Sequence, residues 1–235
     1  MFSYRNDPGS DGAGVACCDA VGPAGRRLDL GLHVPDGWRS ADWDLVEAEL
    51  GRPVLNAHQV HGNRVLRVDE DTDRRELALE EADALVTTSR RVAVAIRVAD
   101  CVPVLFADPD AGVVGAAHAG RVGLAGGVLP ATVAVLAGLG ARRLAAWIGP
   151  HICGQCYEVP AQLQAEVSAV LPQAAATTSW GTPALDLGRA AAAQLQSLGC
   201  TVVRVDPCTR TTPTLHSYRR DGAAAGRQAA IAWLP

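Results

Sequence analysis

The sequence predicts a mixed α/β fold in one domain spanning residues 1–235, with helices covering a mixed sheet system. Three observations carry this. Apolar segments joined by short turns sit beside strand–helix alternations, which argues against a purely parallel doubly wound sheet. The stretch from Val92 to His118 is almost wholly apolar, the pattern of strands buried on both faces. The chain has 235 residues, 49% of them apolar, with no internal repeat and no Pro/Gly/Ser-rich linker to divide it.

Taken in order, "DWDLVEAEL" is the first predicted helix, with Asp42 as N-cap and Gly51 as stop. "PVLNAHQVHG" reads as a strand that opens on Pro53, where no ladder N–H is needed. Its period of two puts Gln59 and His61 on one face and His58 and Val60 on the other. Gly62-Asn63 then reads as a hairpin turn into "RVLRV". Further strands are expected at "ADALVTT", "RVAVAIRVA", "VPVLFAD" and "GVVGAAH", the last two joined by the turn "DPDAG". A glycine-rich loop leads from His118 into the helix "VLPATVAVLAGLG". "PAQLQAEVSAVL" is a helix with Pro160 near its first turn. "DLGRAAAAQLQSLG" is another, running from Asp186 to Gly199. "RLAAWIG" and "TVVRVD" supply strands between them, and the tail returns to the core through Ile231–Leu234.

Bulk chemistry narrows the function. No apolar run reaches membrane-spanning length, so no membrane partner is expected. A net charge of −4 gives no reason to expect a nucleic-acid partner. "MFSYRNDPGS" lacks the layout of a secretory signal, and a cytoplasmic location is expected. All 21 strongly basic residues are arginine. Schiff-base chemistry through lysine and a P-loop lysine are therefore excluded, and any bound anion must be held by arginine, backbone N–H or a metal. Seven cysteines, an odd number in such a chain, do not read as a disulfide framework.

Three residues stand out: His61 in "HQVHGN", Cys101 in "VADCVPV" and His118 in "AAHAGR". Each ends or adjoins a predicted strand. One thiolate and two imidazoles would make a three-ligand zinc site with a position left for water or substrate. The rival readings are core packing and a nucleophilic pair with Cys101 as nucleophile and His118 as base. Asp100, beside Cys101, is a candidate base or an orienting partner for a histidine. The glycine run His118–Gly127 could hold an anion near Arg121, and Arg219, Arg220 and Arg227 are further cations near the tail. "CGQC" at Cys153–Cys156 lacks a second cysteine pair, so no zinc ribbon is expected.

Together "HQVHGN", "DALVT", "VADCVPVLFAD", "AAHAGRVGLAGG", "GPHICGQCYEV", "LDL" and "SYRRDGAAAGR" resemble, in the same order, the motifs of the YfiH-like, laccase-domain proteins. "FSYR" and "LDLGLHV" resemble that family's N-terminus. These proteins were named multicopper polyphenol oxidases and later reassigned as zinc-dependent purine nucleoside phosphorylases. The resemblance implies layered sheets packed together with helices outside, and a zinc ion on His61, Cys101 and His118. It implies phosphorolysis of adenosine, inosine and methylthioadenosine, adenosine deamination, and a link to cell-wall or division machinery. Asp100 and Glu158 are the carboxylates near the motifs that could shuttle a proton. Arg5, Gln59, Arg121 and Arg219 are the candidate substrate- and phosphate-binding residues. A monomer or homodimer is expected.

Two departures are visible. The family pattern His-Ala-Gly-Trp-Arg-Gly reads here as His118-Ala119-Gly120-Arg121-Val122-Gly123, with the arginine one place early. "NDPGSDG" replaces a more regular Gly-Gly segment near the N-terminus. Three other readings stay open: copper-dependent phenol oxidation, a Cys–His hydrolase of cell-wall precursors, and a non-enzymatic binding partner. Copper oxidation needs several ions and roughly ten histidines to hold them, and the chain has 6.

Overall fold

The computed structural model describes residues 1–8, 12–33 and 38–235. Part of "NDPGSDG" and the end of "LDLGLHV" lie outside them. Among the described residues the chain forms two large sheets and two small two-stranded ones. The five-stranded sheet orders its strands Phe2–Asn6, Gly14–Cys18, Gln228–Trp233, Ala93–Val98 and Val54–Leu55. The six-stranded sheet orders Thr201–Arg204, Ala145–Ile148, Val102–Asp108, Val113–Ala119, Ala84–Thr87 and Val65–Arg67. Antiparallel and parallel pairs occur in both. The mixed α/β architecture is therefore as expected.

Alternation along each strand builds the layers. Val94, Ile96 and Val98 face Leu105, Ala107, Val114 and Ala116 of the other sheet, forming the core between the sheets. Ala93 and Ala95 point the opposite way, to Trp43, Val46 and Leu50 of the helix Asp42–Leu50. On the outer face of the six-stranded sheet, Val102, Val104 and Phe106 meet Leu129 and Leu136 of the helix Val128–Gly138, and Leu187 and Leu195 of the helix Leu187–Ser197. The order of layers is helix, sheet, sheet, helices. Phe106 is fully buried, and truncating such a side chain to alanine costs about 3–5 kcal/mol. That packing holds the strand ends in place.

Several sequence expectations need correction. Asp42 is not the N-cap: Ala41 takes that position, without a side-chain cap. Asp42 instead accepts a hydrogen bond from the Asp29 N–H at 2.8 Å and pairs with Arg26. Its charge still lies in the first turn, where the helix dipole favours it. Pro160 precedes the helix Ala161–Val170 as its cap residue. The glycine-rich loop contains a short helix, Arg121–Ala125.

Gly62-Asn63 does not close a hairpin. Val54–Leu55 belongs to the five-stranded sheet and Val65–Arg67 to the six-stranded one. Only Val54–Leu55 of the long predicted strand is regular, with an isolated bridge at His58. The cause is local. The Asp83 carboxylate captures the N–H groups of Val60, His61 and Gly62 at 3.1, 2.9 and 2.7 Å, so this backbone cannot join a ladder.

Candidate metal centre and active-site cavity

The centre forms where the chain passes between the sheets. One passage runs from Leu55 to Val65 and carries His61. The other runs from Val98 to Val102 and carries Cys101. His118 sits at the end of the Val113–Ala119 strand. That strand pairs antiparallel with Val102–Asp108, placing His118 opposite Pro103 and Ala119 opposite Val102. Cys101 and His118 therefore emerge at the same end of one hairpin.

The ligand atoms of His61, Cys101 and His118 all lie within 4.8 Å of one another. Cys101 Sγ is 3.7 Å from His61 Nε2. The two imidazole rings are 4.7 Å apart, edge to face at 68°. His118 Nδ1 lies 2.7 Å from Asp83 Oδ1, so Nε2 is the nitrogen left for a ligand bond. Asp83 is fully buried. Burial pushes its carboxyl up, but hydrogen bonds from His118 and the Gly62 N–H outweigh this and hold it below its ordinary value.

Two residues adopt backbone conformations that L side chains rarely take: His61 at φ 61° and Asp100 at φ 93°. Such strain persists only where the surroundings fix it. The N–H bonds to Asp83 fix His61. Asp100 is fixed by the Thr209 hydroxyl and the Arg219 N–H, both donating to its carboxylate at 2.6 Å, and by the Ile152 N–H on its carbonyl at 3.0 Å. The glycines have a distinct task. A Cβ on Gly120 would lie 2.7 Å from His61 Cδ2 and 3.3 Å from Cys101 Sγ. One on Gly123 would lie 2.6 Å from the Gly62 carbonyl. Bare backbone lets the ligand-bearing segments converge.

Electrostatics couple the thiol and the imidazole at this point. Burial raises the Cys101 thiol, yet the charge and hydrogen bonding of His118, joined by His61, bring it down to about 6. Burial lowers the His118 imidazole, yet the Cys101 charge and the Asp83 bond raise it to about 9. Without a metal, these directions favour a Cys101 thiolate paired with a His118 imidazolium. Two imidazoles and a thiolate in this arrangement fit a divalent ion with an open coordination position.

The centre opens into a cavity of about 740 Å³, within the about 300–1,000 Å³ usual for small-molecule sites. Arg97, Arg121, Arg219 and Arg227 line it, as do His58, Gln59, Asp100, Tyr157 and Tyr218. Arg121 makes no hydrogen bond or ion pair to any described residue. Arg219 donates to the Glu158 carbonyl at 2.8 Å and stacks over Tyr157 at 5.0 Å. Arg227 is held by the Ala225 and Gly226 carbonyls.

Other candidates fall elsewhere. Arg5 lies on the Phe2–Asn6 strand, at the sheet edge opposite the centre's strands, and pairs with Asp7 and Glu49 at 2.7 and 2.9 Å. It does not line the cavity. The Gln59 amide is consumed: Nε2 donates to the Arg97 carbonyl and Oε1 accepts from its N–H, both at 2.8 Å. Asp100 orients no histidine; Asp83 does. The Glu158 carboxylate accepts from Trp180 at 3.1 Å, and Glu158 is not among the residues lining the cavity. Arg220 bonds four carbonyls of the 209–215 loop. The sequence reading missed Asp83, although "DALVT" was one of its motifs, and Arg97. The signal for Arg97 is a charge inside an otherwise apolar strand. Burial and the Arg227 charge lower its guanidinium to about 10, and its Nε has no partner.

The family model described as multi-copper polyphenol oxidoreductase laccase matches residues 22–235. The chain belongs to that family. It is similar to purine nucleoside phosphorylase SCO2081 of Streptomyces coelicolor, 47% identical over 217 residues, covering 89% of this chain and 88% of the relative. It is also similar to purine nucleoside phosphorylase Rv2149c of Mycobacterium tuberculosis, 44% identical over 220 residues, covering 90% and 86%. Among solved structures, YlmD of Geobacillus stearothermophilus superposes with a TM-score of 0.82 at 26% identity, covering 100% of this chain and 97% of that one. The DUF152 protein NMB0706 of Neisseria meningitidis gives 0.79 at 30% identity, covering 99% and 98%. No helix among the described residues is long and apolar enough to cross a membrane.

Proposed function

We propose that this laccase-domain chain is a zinc-dependent purine nucleoside phosphorylase that cleaves adenosine, inosine and methylthioadenosine, with adenosine deamination as a second activity. The observation that carries the reading is the His61–Cys101–His118 centre opening on an arginine-lined cavity in which the Arg121 side chain has no partner among the described residues. The names of the relatives agree with it. The whole chain acts as one unit, in the cytoplasm, as a monomer or homodimer.

Phosphorolysis joins a phosphate oxygen to the anomeric carbon and breaks the bond to the purine. This requires an anion to be held against a neutral sugar. Arg121 is the first cation available, because no group among the described residues competes for it. Arg219 and Arg227 add positive field from positions fixed by backbone carbonyls, and a planar guanidinium binds two oxygens at once. His61, Cys101 and His118 would hold the zinc, which when bound supplies Lewis-acid polarisation of a substrate oxygen. Asp83 fixes the ring of His118, and Asp100 anchors the Arg219 backbone and the Thr209 loop to the cavity wall.

The test is formation of ribose 1-phosphate and free base from adenosine plus phosphate by the purified protein. Cys101→Ala should abolish it, and activity retained in that variant would sink the reading. A second reading, a Cys–His hydrolase, is favoured by the thiolate–imidazolium pair with Asp83 behind the histidine. Chelation separates the two: it stops a zinc phosphorylase and spares a cysteine hydrolase. Copper-dependent phenol oxidation, which the family description names, draws less support. His151 and His216 are buried against the Gly149 and Leu28 carbonyls, and neither lines the cavity. A phenol-plus-copper assay on the same protein tests that reading.

A further inference from the structure

A second cluster of soft ligands lies behind the cavity wall. The sulfur atoms of Cys153, Cys156 and Cys208 all lie within 4.8 Å of one another. Sequence alone left "CGQC" without a partner pair; the fold brings a third thiol from more than fifty residues further along. Two local features assemble it. Cys153 opens a tight turn in which its carbonyl accepts the N–H of Cys156 at 2.9 Å and of Tyr157 at 3.0 Å. Cys208 is brought alongside by a parallel bridge to His151, secured by the Thr209 N–H on the His151 carbonyl at 3.0 Å.

The arrangement has the marks of a metal–thiolate knuckle. The Cys153 backbone N–H points at Cys208 Sγ, 3.4 Å away, and an amide donor on sulfur favours the thiolate that a metal needs. All three cysteines are free. A zinc–sulfur bond of about 2.3 Å places tetrahedral thiolates roughly 3.8 Å apart, a spacing that sulfurs already within 4.8 Å of one another reach with little movement. Cys156 is buried, whereas Cys153 and Cys208 are half-buried, which leaves solvent access for a water as fourth ligand.

We propose that Cys153, Cys156 and Cys208 form a second metal centre, separate from His61–Cys101–His118, that binds zinc and clamps the 153–157 turn to the 208–212 loop. The clamp braces the cavity. Thr209, next to Cys208, bonds Asp100, and Tyr157, next to Cys156, lines the cavity beneath Arg219. Thiolates are the donors that select zinc or cuprous copper over magnesium or calcium.

Elemental analysis of the full chain purified without chelator tests this. About two zinc ions per chain are expected, falling to about one in Cys208→Ser and about one in Cys101→Ala. A wild-type content of one ion that Cys208→Ser leaves unchanged would overturn the proposal. So would a disulfide between any two of these cysteines in the freshly isolated protein. Cobalt titration of Cys101→Ala gives a second arm that does not require a folded Cys208 variant. It should show one equivalent with intense thiolate-to-cobalt absorption in the near ultraviolet, and no such band would overturn the assignment. Stoichiometric copper in place of zinc, lost in Cys208→Ser, would overturn the choice of ion.

Discussion

His118 Nδ1 and Asp83 Oδ1 lie 2.7 Å apart in the protein interior, and the same carboxylate holds three consecutive N–H groups of the His61 segment. One buried anion thus positions two of the three residues of the candidate centre. Asp83→Asn keeps the volume but loses the charge. The expected result is a fall of about 10–100-fold in zinc affinity, measured by competition with a chromogenic chelator. An unchanged affinity would mean that Asp83 serves the fold alone.

The thiolate–imidazolium pair sets a pH dependence. The Cys101 contribution to stability is lost as pH falls through about 6 and is complete above the ordinary thiol value of 9.0. The His118 contribution is complete below 6.5 and is lost as pH rises through about 9. Over the shared window the two slopes oppose each other, so the metal-free chain should have nearly flat stability there. Zinc uptake must displace the His118 proton in that window. About one proton should be released per ion, and affinity should rise about tenfold per pH unit up to about pH 9. Calorimetry in buffers of different ionisation heat reads the proton directly; release of none would refute the pairing.

Gly120 has φ −67° and ψ 166°, a conformation open to alanine. Only space forbids the change, because the new Cβ meets His61 and Cys101. Gly120→Ala should therefore keep its secondary structure by circular dichroism and lose at least about tenfold in zinc affinity through displaced ligands. Full metal content in that variant would show that the segments can part without cost.

The Arg121 side chain touches no acceptor among the described residues, so removing it disturbs little else. Arg121→Ala should change stability by less than about 0.5 kcal/mol in denaturant unfolding. Its KM for phosphate should rise by about tenfold or more, the loss of one charge-assisted contact. A KM within twofold of the parent would shift the phosphate role to Arg219 or Arg227.

Much of the fold was legible because its signals are local and repeated. The strands Ala93–Val98, Val102–Asp108 and Val113–Ala119 follow from mostly apolar runs, and Leu187–Ser197 from Asp186 and Gly199 at its ends. The exchange of chain between sheets was not legible. Nothing in "HQVHGN" reveals that a carboxylate more than twenty residues away will take its N–H groups and turn a strand into a crossover. The ligand set itself was one of several open readings by residue type and became specific only through the ordered motifs. Arg5 misled because charge and motif position say nothing about which edge of a sheet a strand occupies. Cys208 escaped because its partners lie across a parallel bridge that spacing does not encode.

The Gln59 side chain has one more effect. The Val54–Leu55 segment pairs only with Ala93 and Val94, which leaves the later part of Ala93–Val98 at the border of its sheet. The primary amide of Gln59 occupies both hydrogen-bonding groups of Arg97 there, imitating a neighbouring strand with a single residue. An unsatisfied border of this kind is a template for a foreign chain to add on. Gln59→Ala bares that border, and the expected result is a rise in light scattering on prolonged incubation.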